Sequence, residues 1–159
     1  MGVIEQGIFD SDYAAAVHVF HNAAQSVAVS GTLTWLAFNS ERFDTFSNAA
    51  DTMHDTVTNN NRLTCRYAGI YQITGIAEFA ANATGLRQLT IRHQGTTDLA
   101  ANATLTLGAG IGTNVTVTTL CQLAVNEYVE LGALQTSGGA LNVNSSGNRS
   151  PEFMMVKVA

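Results

Sequence analysis

The feature that most limits what this chain can fold into is a repeated alternation, apolar then polar, in short runs cut by turn residues. In "GIYQITGIAEFA" Tyr71, Ile73, Ala77 and Phe79 fall on one side of an extended chain, and Gln72, Thr74 and Glu78 on the other. In "LRQLTIRHQG" Leu89 and Ile91 share one side, while Gln88, Thr90 and Arg92 share the other. Asn82 to Gly85 and Gln94-Gly95 supply the turns that separate these runs. "NVTVTTLCQLA", "YVELGALQTS", "GALNVN" and "PEFMMVKVA" continue the pattern. "RLTC" is a further short strand, and "SVAVSGTLTWLAF" is either a strand pair or one strand bent at Ser30-Gly31. About ten strands at roughly ten-residue spacing define an all-β sandwich or barrel. Helical periodicity is confined to a short start at "DYAAAVHVF", and one proline in 159 residues is consistent with continuous strands.

The last strands read as apolar on both sides. In "YVELGALQ", Val129, Leu131 and Ala133 face away from Tyr128 and Leu134; in "FMMVKV", Met154 and Val156, with Val158 beyond, face away from Phe153 and Met155. A sandwich has one core face per sheet, so a second apolar face needs a cover. That cover is either a barrel end or loop, or another subunit, and charge bears on the choice. Asp, Glu, Lys and Arg make up only 12% of the chain, about half the usual share. A surface so poor in charge fits burial against partners, so Val129, Leu131, Ala133, Met154, Val156 and Val158 are the expected subunit interface.

Net charge excludes other partners. With a formal charge of -5 and Lys157 as the lone lysine, the chain is not expected to track phosphates or anionic membranes. No apolar run approaches the ~18 residues of a membrane helix, and "MGVIEQGIFDSDY" is not a secretory signal. Cys65 and Cys121 either pair in one disulfide or remain buried thiols, the latter fitting a chain without such a signal.

No catalytic set is legible. His18 and His21 stand three apart in a strand and face opposite sides, so they do not converge on a metal. "GAGIGTN" lacks the lysine and the following helix of a phosphate loop. Arg66 alternates away from Cys65, which leaves that thiol unactivated. "ERFDTFSNAADTMHD" reads as a long polar loop whose acids could bind calcium through Asp44, Asp51 and Asp55, although solvated loops gather acids without metal. No cofactor is expected otherwise. The Asn-x-Ser/Thr matches at Asn82, Asn102, Asn114, Asn144 and Asn148 read as turn residues, and Trp35, Phe38 and Phe43 as core rather than as a sugar-stacking rim.

Several segments together resemble C1q-like domains of the C1q/TNF jelly-roll superfamily. "RLTCRYAGIYQITG" resembles their central strands, "LTIRHQG" a strand ending in a turn, "LAVNEYVEL" their Leu-x-x-Gly-Asp-x-Val segment with Asn126-Glu127 in place of Gly-Asp, and "SPEFMMVKV" the closing strand. "LAFNSERFDT", "MHDTVTN" and "GLRQLTIRHQGTT" resemble the bacteriophage and bacterial members. The resemblance spans about residues 27 to 159 and implies a ten-stranded jelly-roll β-sandwich forming a homotrimer.

On this basis residues 26–159 are expected to form the C1q-like domain and residues 1–25 an arm for attachment through Val3, Ile4, Ile8, Phe9 and Tyr13. The expected role is a virion structural protein, a homotrimeric decoration (cement) protein on the bacteriophage capsid surface, with the major capsid protein as partner. The chain opens on Met1 without heptads or shaft repeats, which favours this over the alternative, the receptor-binding or adhesive head of a tail or head fibre.

Overall fold

A computed structural model describes residues 15–28, 31–46, 51–108, 110–147 and 149–159. These residues form antiparallel strands in two sheets and no helix. The strands are β1 (Ala16–Phe20), β2 (Gln25–Val27), β3 (Thr34–Trp35), β4 (Ser40–Asp44), β5 (Arg62–Thr64) and β6 (Gly69–Phe79). They continue as β7 (Leu86–His93), β8 (Thr97–Leu105), β9 (Thr113–Leu123), β10 (Tyr128–Gln135), β11 (Leu141–Val143) and β12 (Glu152–Lys157).

Strand β6 is the spine of a seven-stranded sheet. One edge pairs with β9 along its whole length, from Gly69↔Leu123 to Phe79↔Thr113. The other edge pairs with β12 and, at Phe79↔Val143, with β11. Beyond β12 lie β1 and then β4; beyond β11 lies β2. The five-stranded sheet runs β8–β7–β10, with β3 and β5 both on the far edge of β10. Such crossing between sheets produces the sandwich: "SVAVSGTLTW" places β2 in one sheet and β3 in the other. The residues expected inward on β6 and β7, from Tyr71 to Phe79 and at Leu89 and Ile91, are fully buried. Each large apolar side chain buried this way contributes about 1.5–3 kcal/mol. Between β7 and β8, Gln94 and Gly95 both take positive φ, 51° and 69°, in a tight turn closed by Thr96 N donating to His93 O at 3.1 Å.

Four expectations are corrected by the fold. Twelve strands rather than ten are present among the described residues, because β2, β3, β5 and β11 are separate two- and three-residue pieces. The start of the supposed polar loop, residues 40–44, is β4, held by His18↔Phe43 and Phe20↔Ser40. The boundary of the arm moves: β1 lies inside residues 1–25 yet is a strand of the sandwich, with Val17 and Val19 in the core. Val3, Ile4, Ile8, Phe9 and Tyr13 lie outside the described residues. Finally, Asn102 and Asn114 sit within β8 and β9 rather than in turns; Asn102 Nδ2 donates to Thr116 O at 2.7 Å and ties the two sheets.

Candidate interaction surfaces

Two surfaces stand out, one apolar and one polar. The first is the outward side of the seven-stranded sheet. The β6 register sets Gln72 between Leu120 of β9 and Val156 of β12, and Thr74 between Thr118 and Met154. Leu120 is 64% exposed, Ile70 41% and Val158 51%, and Val156 stands beside them. These large side chains stand exposed on adjacent strands, with Gln72 and Thr74 among them. Polar neighbours are satisfied within the sheet, as in the 3.0 Å hydroxyl pair of Thr74 and Thr118.

One charged cluster borders this patch. The Glu152 carboxylate, 4% exposed, accepts from Arg42 Nη2 at 3.1 Å and lies 2.8 Å from His18 Nε2. Arg42 also lies over the Phe20 ring at 4.1 Å, and His18 meets the exposed Phe43 edge-on at 5.8 Å. A buried carboxylate is tolerable because the Arg42 guanidinium pairs with it and a His18 ring nitrogen reaches its other oxygen. His21 instead contacts the backbone of Ala23, so the two histidines do not converge.

The expected interface divides in two. Met154, Val156 and Val158 lie on the outward side, the first half-buried and the others exposed. Val129, Leu131 and Ala133 are fully buried in the single chain, facing the opposite sheet, and cannot touch another subunit. The second apolar side of β10 is covered instead by its own sheet partners and loops: Gly132 lies against Leu33 and Trp35, and Glu130 is buried on Arg62 and Asn61. The residues that complete the outward patch, Ile70 and Leu120, were missed because each sits in a run whose other side carries the stronger apolar signal.

The second surface is a groove of about 490 Å³ between the 52–59 segment, β5 and the start of β10. Met53 O accepts from Thr64 N at 2.7 Å, which lays the segment beside β5. His54 is buried beneath it; Nδ1 lies 3.0 Å from Glu41 Oε1, and Nε2 donates to Asn60 O at 3.2 Å. Arg66 donates from Nε to Thr52 O at 2.7 Å and from Nη1 to Asn126 Oδ1 at 3.1 Å. Arg62 donates from Nε to Glu130 Oε1 at 3.2 Å and lies 4.0 Å over the Tyr128 ring. The two arginines stand four apart in "RLTCR", the one signal in the sequence for this groove.

The calcium candidates do not assemble: among the described residues no group of three or more His, Cys, Asp or Glu could hold a metal ion. Asp44 accepts from Phe46 N, Thr52 Oγ1, Met53 N and His54 N, which folds the chain after β4. Asp55 accepts from Val57 N and Thr58 N, and these amides hold its carboxyl below the usual range. Asp51 is exposed. Both cysteines are free thiols: Cys65 is in the core, its Sγ 3.1 Å from Tyr67 O, and Cys121 packs half-buried against it. Burial pushes both thiols above their ordinary range. Phe38 is buried against Phe153, as expected of core, and Phe43 is exposed.

No protein-family model matches this chain, and no curated protein matches it. Solved structures do. The chain is similar to Eiger TNF from S. frugiperda, with TM-score 0.64 and 10% identity over 92% of this chain and 93% of that one. Murine APRIL gives TM-score 0.62 and 10% identity over 91% and 99%. The globular domain of zebrafish complement 1qA gives 0.61 and 12% over 92% and 98%. At these identities the likeness concerns the backbone alone, and it covers nearly the whole of each chain. The protein therefore has the C1q/TNF jelly-roll fold.

Proposed function

We propose that this chain is a bacteriophage virion structural protein, a homotrimeric decoration protein that binds the major capsid protein and stabilises the head. The observation that carries the reading is the apolar outward side of the seven-stranded sheet. Ile70, Leu120, Met154, Val156 and Val158 offer one surface to a second and third copy, with the Glu152 cluster at its border. The sequence resemblance to bacteriophage C1q-like proteins supports the virion setting, and a trimer matches the local threefold positions of an icosahedral shell. Attachment is assigned to Val3, Ile4, Ile8, Phe9 and Tyr13, upstream of β1. Catalysis, nucleic acid and membranes have no part in this reading.

Mass spectrometry of purified virions, with copy number measured against the major capsid protein, tests it. Hundreds of copies per particle are expected. A handful would move the protein to a fibre or tail as a receptor-binding head, and absence from particles would end both virion roles.

A further inference from the structure

We propose that the groove beside β5 binds a carboxylate-bearing saccharide, with Arg66 and Arg62 receiving the carboxylate. This goes beyond the virion reading and does not rest on it.

Charge is the first argument. The chain has seven lysines and arginines against twelve acids, yet two of its arginines line one groove. Arg66 is held by two hydrogen bonds, both to neutral acceptors, so its direction is set while its charge is not cancelled. Among the described residues no carboxylate forms an ion pair with it. Arg62 spends Nε on Glu130 and one face on Tyr128, and its terminal nitrogens have no protein partner among the described residues. A guanidinium fixed in this way presents a planar fork that matches a carboxylate.

The remaining lining selects the rest of the ligand. Thr58, Asn59 and Thr64 bring hydroxyl and amide groups, whereas the Thr52 hydroxyl is held by Asp44 and Met53 is wholly buried beneath the surface. Ligand sites for apolar molecules are lined mainly by apolar and aromatic side chains. A groove of hydroxyls and amides suits a ligand that is itself rich in hydroxyls. Its volume falls within the ~300–1,000 Å³ of small-molecule sites, enough for a mono- or disaccharide. Asp55, the one carboxylate in the lining, is occupied on one oxygen by two backbone amides, and its other oxygen is suited to a sugar hydroxyl. Long polyphosphates are disfavoured by the net charge of -5.

The test is nuclear magnetic resonance titration of the isotope-labelled full chain with glucuronic acid and, separately, N-acetylneuraminic acid, against glucose and acetate. Either acid sugar, or both, should shift the amides of Thr52, Thr58 and Asn126 with a dissociation constant of about 1 mM, which separates uronic from sialic ligands. Glucose and acetate should bind at least ~10-fold more weakly. Arg66→Gln should weaken binding about 10-fold. Because that change also frees Thr52 O and Asn126, Thr64→Val serves as a second variant; its backbone pairing is unchanged, and it should weaken binding about 3-fold. The proposal is overturned if neither acid sugar shifts these amides, or if acetate shifts them as strongly as the sugars do. Unchanged binding in both variants would overturn it equally.

Discussion

Gly75 of β6 lies directly beneath the Leu131 side chain of β10, which fills the space a Cβ would take. A Cβ on Gly75 would stand 2.7 Å from Leu131 Cδ2 and nearer still to Cδ1. Glycine is required by space, since the position has no positive φ. Gly75→Ala should therefore destabilise the fold by about 1–3 kcal/mol, the usual cost of overpacking a dense core. Urea denaturation of the two proteins measures the difference. A double variant with Leu131→Ala should recover part of it, because the smaller side chain gives the new methyl room.

Leu120 and Val156 flank Gln72 on the outward side of the seven-stranded sheet. Leu120→Arg combined with Val156→Arg should leave the monomer's fold intact, because neither side chain belongs to the core. Light scattering after size-exclusion chromatography should then show a trimer for the original chain and a monomer for the variant. Val129→Arg, by contrast, should abolish folding, since that side chain is fully buried.

Glu127 closes the turn between β9 and β10 by accepting from Ala124 N at Oε2, 2.8 Å away, and His93 Nε2 lies 3.2 Å from the same oxygen. The amide, followed by His93, holds the carboxyl below its ordinary range. A lowered carboxyl supports the fold fully above its unfolded value, about 4.3, and that support is lost as pH falls through the lower folded value. The Ala124 amide resonance should therefore move, and its protection from hydrogen exchange relative to the intrinsic rate should fall, in acid below about pH 4. In Glu127→Gln this pH dependence should vanish.

Cys65 is enclosed in the core, and its thiol is pushed up by burial. Since the thiolate is the reacting form, native Cys65 should resist iodoacetamide at about pH 8 and react only on unfolding. Cys121, half-buried with a thiol raised by the same cause, should label slowly but before Cys65. Peptide mapping after timed labelling distinguishes the two.

The strands at the centre of the sandwich were legible because one period carries the information. Side chains at two-residue spacing in β6 and β7 assign Tyr71, Ile73, Phe79, Leu89 and Ile91 to the interior whatever lies opposite them. Segments with weaker alternation were not legible. "NSERFD" has mostly polar residues and becomes β4 only because β1 offers it an edge. Val17 and Val19 alternate correctly, yet membership in the sheet came from pairing with β12, more than 130 residues away. The candidate sites were harder still. Asp44 and Asp55 read as metal ligands, but backbone amides take their carboxylates, and a chain cannot show in sequence which loop amides will turn inward.

By itself, the sequence determined an all-β chain, the inward residues of its strongest strands, a surface poor in charge and a likeness to C1q/TNF domains. Tertiary structure decided which side of each strand remains free. β10 looked apolar on both sides, but one is core and the other is covered by Trp35, Leu33 and Arg62 from its own chain. β12 kept an open side because β6 and β1 flank it within the sheet and no described segment lies over Val156 and Val158. The groove arose in the same way, from Arg62 and Arg66 meeting Thr52, Asn126 and Tyr128. Alternation reports that a strand has two sides; only the long-range pairing of strands settles what each side meets.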